Sequence, residues 1–179
     1  MDNSMIKKYA VTFGRARNNL LLVVAFTTIN LILAAFESGF FFLFSATMPT
    51  IIFEFIGAPV GIILAFGGVL IYLICWLLAK KYRAFILVAL ILFSIDTIVF
   101  FILLFGVMAA FEIGYLLEIA FHAWVMFYLI TGTMAWVRLM KVTPEQIKSA
   151  QAEVAKETAN AEADAALKSI SDKDDEDPK

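Results

Sequence analysis

Four stretches of this chain, 19–36, 59–79, 85–111 and 115–137, are almost free of charge, interrupted only by Asp96, Glu118 and His122. At about 1.5 Å per residue, runs of this length reach across a hydrocarbon layer of about 30 Å. Nothing in that layer can bond a free backbone N–H or C=O, so an isolated crossing segment must be helical. The composition agrees. Of 179 residues, 62% are hydrophobic and only 17% charged, against about 45–50% apolar in ordinary globular chains. One soluble domain of this size could not bury so much apolar surface. The expected fold is all-α: an integral membrane four-helix bundle with a cytosolic C-terminal helix and an acidic disordered tail.

The charges are segregated. Residues 1–142 hold nine basic and six acidic residues, whereas 143–179 hold five Lys and ten Asp or Glu. Lys7, Lys8, Arg15 and Arg17 precede the first run, Lys80, Lys81 and Arg83 follow the second, and Arg138 and Lys141 follow the fourth. Four crossings place all nine on one side, with Glu37, Glu54 and Glu112 on the other and Glu118 just inside that outer end. Basic loops stay in the cytosol, so both termini are expected there, in a multi-pass plasma-membrane protein. Trp76, Tyr82 and Trp136 near the cytosolic ends suit interfacial anchoring. The basic lead 1–18 also suits a signal peptide, but no A-x-A site follows, so the first run is expected to be an uncleaved anchor.

Between the first two spans, residues 37–58 include the apolar stretch FFLFSATMPTIIFEFIG. A fifth span there would break the charge rule, and Pro49 divides it. It is expected to lie in the outer interface, or to re-enter only where protein covers its backbone. A helix from about Thr50 is expected to run on into the second span, bent at Pro59. Its exposed aromatic residues suit either a headgroup lid or a partner surface. Beyond 142, Thr143-Pro144-Glu145-Gln146 reads as a helix start, with Thr at N-cap, Pro at N1 and Gln at N3. The helix should reach about Ser169 as a solvated single helix; Ile147, Ala150, Val154 and Ala161 make only a faint heptad. The ending SDKDDEDPK would be repelled by anionic lipids.

Polar residues inside spans are functional candidates because they are expensive there. Asp96 lies 11 residues after Phe85, and His122 nine after Ile113. Those depths, about 16 Å from one face and 13–14 Å from the other, meet near the midplane. Asn30 falls in the same layer, and Glu118 lies one turn from His122. The layer Asn30, Asp96, His122 and Glu118 suits interhelical glue, a proton or small-ion site, or less readily a metal site. No metal and no cofactor are expected. The second span carries a small-residue stripe, Gly57, Gly61, Ala65 and Gly68, continued by Cys75 and Ala79. Such stripes let helices approach closely, within one chain or across a dimer.

Enzyme signatures are missing: the chain has no GxSxG, P-loop, GxGxxG or paired-carboxylate motif, and a Ser94–His122 dyad is remote. No basic patch with interleaved aromatics suggests nucleic acid. One Cys and one His exclude zinc ribbons and paired-Cys redox chemistry.

The segments RNNLLLVVAFTTINLILAAF (17–36), FFLFSATMP (41–49), LFSIDT (92–97) and FHAW (121–124) resemble a group of uncharacterised small four-span membrane proteins of Gram-positive bacteria. The resemblance covers roughly 15–140 and implies a bacterial plasma membrane. It implies no activity. The expected role is a non-enzymatic accessory or scaffold subunit, its partners the bilayer and a protein or second copy. The alternative is proton-coupled or small-ion transport through Asp96 and His122.

The charge map predicts that protease added outside intact cells will spare epitope tags placed at either terminus. Cleavage of a C-terminal tag would overturn the assigned orientation.

Overall fold

The computed structural model describes residues 3–36, 45–106 and 113–174, with side chains for all of these but 113–114 and 165–174. The described residues form six α-helices and no strand: α1 (Asn3–Ala35), α2 (Thr47–Ile56), α3 (Val60–Ala79), α4 (Phe85–Gly106), α5 (Ile113–Leu139) and α6 (Pro144–Asp174). Four helices, α1, α3, α4 and α5, are long and apolar enough to cross a membrane. Residues 107–111 of the expected third span, Glu37 and Glu112 lie outside the described residues.

The chain divides into two units, Thr12–Val137 and Met1–Val11 with Arg138–Lys179. In the larger unit α4 shows why these sequences form a bundle. Its buried residues, Ile86, Ala89, Phe93, Asp96, Phe100 and Leu104, recur every three or four positions. Between them Ile91, Ile95, Ile98 and Ile102 are about half exposed or more, and Phe105 is 77% exposed. An apolar outside around an apolar inside is the pattern of helices solvated by lipid rather than water.

Helix α2 starts beside the middle of α4. Pro49 and Thr50 in its first turn are buried, as are Ser45 and Ala46 before it. Its start is held by Asp96, 11 residues after the beginning of α4 and ten before its end. The segment is therefore a half-helix whose start lies against the middle of α4. The helix does not run into α3. It begins at Thr47 and stops at Ile56, where Gly57 takes φ +73°, a left-handed conformation suited to glycine, and sends its N–H back to the Phe53 carbonyl at 2.8 Å. Gly57 thus belongs to the turn, while the stripe continues on α3.

That stripe faces α2. A Cβ on Gly61 would lie 3.0 Å from the Phe53 carbonyl oxygen and 3.2 Å from that of Ile52. A Cβ on Gly68 would lie 3.4 Å from Pro49 Cγ. Ala65 between them is fully buried. The small residues let the half-helix lie directly on the α3 backbone, gaining dispersion contacts where no hydrophobic force acts between helices. A comparable approach joins α1 to α5, where a Cβ at Gly132 would overlap the Ala16 Cβ. At the basic end, the Arg17 guanidinium lies 5.3 Å from the Trp76 ring centroid, and its Nε donates to the Trp76 carbonyl at 3.4 Å.

In the smaller unit the capping box is present. Thr143 N–H donates to Gln146 Oε1 at 3.3 Å, and Gln146 N–H donates to Thr143 Oγ1 at 3.5 Å. The first turns of α6 are not solvated all round. Ile147 and Ala150 are buried, as are Ile6 and Ala10 of α1 and Leu139 of α5 in the same unit. Lys7 Nζ lies 2.8 Å from Glu153 and 2.9 Å from Glu157. The lead expected as merely polar is helical, and Ile6 and Ala10 give it an apolar side; one turn of spacing is too short a pattern to stand out among charges. Beyond Val154 the described side chains of α6 are exposed.

Gly132→Val should lower the thermal unfolding temperature of the protein in detergent, by an overpacking penalty of about 1–3 kcal/mol. Gly67→Ala, whose Cβ meets nothing within 4 Å, should be neutral or stabilising by up to about 1 kcal/mol. Equal effects of the two would remove the close α1–α5 crossing from the account.

Candidate functional site

A helix leaves its first four backbone N–H groups without intrahelical partners. For α2 these belong to Ala46, Thr47, Met48 and Pro49. Ala46 N–H donates to Thr27 Oγ1 of α1 at 2.9 Å. Thr47 N–H donates to Asp96 Oδ2 at 3.0 Å, and Met48 N–H to Asp96 Oδ1 at 2.7 Å. Proline has no N–H to satisfy. Two side chains from two spanning helices and one imino acid therefore account for the whole N-terminus. Thr27 is itself fixed, since its hydroxyl donates to the Val23 carbonyl at 2.7 Å. No side chain of α2 itself caps this end.

His122 of α5 completes the arrangement. Its Nε2 lies 3.3 Å from Asp96 Oδ2, and both side chains are 1% exposed. Its Nδ1 lies 3.0 Å from the Glu118 carbonyl oxygen. A carbonyl can only accept, so Nδ1 carries a hydrogen. Asp96 Oδ2 already accepts from Thr47, so the Nε2–Oδ2 contact needs a proton of its own between the two atoms. That proton makes either an imidazolium–carboxylate pair or a neutral imidazole with a carboxylic acid. Two backbone donors and the positive end of the α2 dipole converge on the Asp96 carboxyl group. Aromatic rings enclose the imidazole. Phe100 stacks on the imidazole at 4.6 Å and 7°, Phe93 at 5.2 Å and 25°, and Phe121 meets it edge-on at 6.0 Å. Phe93 and Phe100 are two turns apart on α4, about 10 Å of rise, which is the gap a clamped ring requires.

The polar layer is thus partly assembled. Asp96 and His122 are joined. Glu118 is buried but gives His122 its backbone carbonyl. Asn30 is buried on α1, yet the α1 residue that reaches the α2 N-terminus is Thr27, three positions earlier. Thr27, Phe93 and Phe100 carry roles that sequence reasoning missed. The available signal was the Phe93–Asp96–Phe100 spacing, an acid flanked on one helix face by two rings. Among the described residues, no group of three or more His, Cys, Asp or Glu could hold a metal ion. Ser94 donates to the Leu90 carbonyl at 2.7 Å, and with both His122 nitrogens engaged elsewhere the pair forms no dyad. Cys75 is buried.

A second polar contact lies nearer the basic end. Trp124 Nε1 donates to Asn19 Oδ1 at 2.7 Å, and Asn19 Nδ2 donates to the Arg15 carbonyl at 2.9 Å. It ties α5 to α1 by an amide that the sequence reading left at the edge of its first span.

Compared with protein families, curated proteins and solved structures, the chain matches none.

Asp96→Asn keeps one carbonyl acceptor, so it should destabilise the protein in detergent by about 1–3 kcal/mol. Asp96→Leu strands two backbone donors and His122, for a loss of about 3–5 kcal/mol. Hydrogen exchange supplies the local readout: the Thr47 and Met48 amides should be protected in the parent and exchange freely in Asp96→Leu. Unchanged protection would mean that Asp96 is not their acceptor.

Proposed function

We propose that this is a non-enzymatic, multi-pass plasma-membrane protein acting by association, as a small accessory or scaffold subunit. The observation that supports this reading is the closure of the mid-depth site. Both Asp96 oxygens take N–H groups of the α2 N-terminus, one of them also meets His122 Nε2, and His122 Nδ1 is bonded to the Glu118 carbonyl. Such a site fixes the start of a half-helix. What it holds in place is the turn end of the α2–α3 pair, where Phe55 and Val60 are exposed. That end and the exposed part of α6 are the proposed contact surfaces, on the outer and cytosolic sides respectively.

A second reading, proton-coupled or small-ion transport, draws support from the single proton between His122 Nε2 and Asp96 Oδ2. Removing or relocating it would alter the charge that holds α2. Against it stands the lack of a polar ladder from this layer to either surface in the sequence of the spans.

Mild-detergent purification from the native membrane should recover a defined partner with the full chain and lose it when 143–179 are deleted. Recovery of the same partner after deletion would remove the tail from the proposal. Liposomes bearing the purified protein should show proton flux no greater than empty ones. Flux abolished by Asp96→Asn and by His122→Ala would overturn the association reading in favour of transport.

A further inference from the structure

Between α1 and α5 lies a groove of about 410 Å³, bordered by Asn19, Leu22 and Phe26 on one side and Leu117, Phe121 and Trp124 on the other. Its size is that of a small-molecule site, about 300–1,000 Å³. Three observations describe what would fill it. First, its walls are apolar apart from the Asn19 amide, and Trp124 is 56% exposed along it. On a helix crossing a bilayer, such a surface meets hydrocarbon. Second, the polar atoms are gathered at one end, where Trp124 Nε1 and the Asn19 amide hydrogen-bond each other. Third, Arg15, Asn19, Leu22 and Phe26 fall on one face of α1 at helical spacing. Arg15 is exposed and lies one turn from Asn19, on the side away from the apolar run.

Along that face the order is cation, amide, aliphatic, aromatic. A glycerophospholipid has the matching order: phosphate, ester, chain. An uncharged lipid tail would need only the groove, whereas an exposed guanidinium one turn beyond its polar end adds a phosphate partner. A smaller apolar cavity of about 200 Å³ bordered by Pro49, Gly68 and Tyr72 has no charged residue among those lining it.

We propose that the α1–α5 groove binds one acyl chain of an anionic phospholipid, with the lipid phosphate at Arg15. The site is separate from the association and transport readings: of the residues around the Asp96–His122 pair it shares only Phe121, which turns its ring edge to the imidazole.

The chain has three tryptophans, so Trp76→Phe with Trp136→Phe leaves Trp124 as the sole emitter, inside the groove. This protein is placed in phosphatidylcholine vesicles doped with phosphatidylglycerol brominated on its acyl chains, or with equally brominated phosphatidylcholine. Brominated phosphatidylglycerol should quench Trp124 at about fivefold lower mole fraction, the worth of one basic residue at an anionic headgroup. Arg15→Gln should abolish that advantage and Arg15→Lys should keep most of it. Ala120→Phe, at an exposed position lining the groove, should weaken quenching by both lipids. Equal potency of the two lipids in the parent would overturn the proposal. So would an advantage that survives Arg15→Gln, or quenching untouched by Ala120→Phe.

Discussion

A backbone N–H has nowhere to go inside a bilayer unless protein accepts it. The α2 N-terminus brings that constraint to the middle of the bundle, and the surrounding structure is arranged around meeting it. Thr27 takes one donor, Asp96 takes two, and Pro49 presents none. The carboxyl group that makes this possible is itself buried, where each polar atom needs a partner. His122 supplies the partner, and the Glu118 carbonyl together with Phe93 and Phe100 fixes the imidazole. Each element exists because the one before it would otherwise be unsatisfied.

The same chain of dependence bears on function. An intramembrane acid and imidazole at one depth ordinarily suggest a relay. Here their hydrogen-bonding capacity is turned toward a helix end and a carbonyl, which is what structural anchoring requires. The half-helix then needs a surface to lie on, and the small residues of α3 provide it. The result is a short helix pair fixed at its buried end and open at its turn. The α1–α5 groove is a separate feature, built from apolar side chains and one amide rather than from buried charge.

Much of this architecture was legible in the chain. The uncharged runs marked the four long apolar helices, and depth counted at helical rise put Asp96 and His122 in one layer before any contact was known. Thr143, Pro144 and Gln146 announced the start of α6. The failures were local and have a common cause. Thr27 bonds its own helix as Thr28 does, and nothing in the run marks it as the one that also accepts from Ala46. Gly57 looked like the first member of a stripe whose later members face the half-helix. Ile6 and Ala10 looked like part of a polar lead. In each case the residue's role depends on a partner distant in sequence, which periodicity along one helix does not reveal.

By itself the sequence determined which segments cannot remain in water, how many long apolar helices result and at what depth their polar side chains sit. Those properties follow from transfer energies and helical rise, which are additive along the chain. Tertiary structure alone decided that Asp96 caps α2 as well as pairing with His122, that the half-helix starts against the middle of α4, and that Asn19 meets Trp124. These choices turn on hydrogen-bond geometry between helices, where a bond forms within a few tenths of an ångström or not at all.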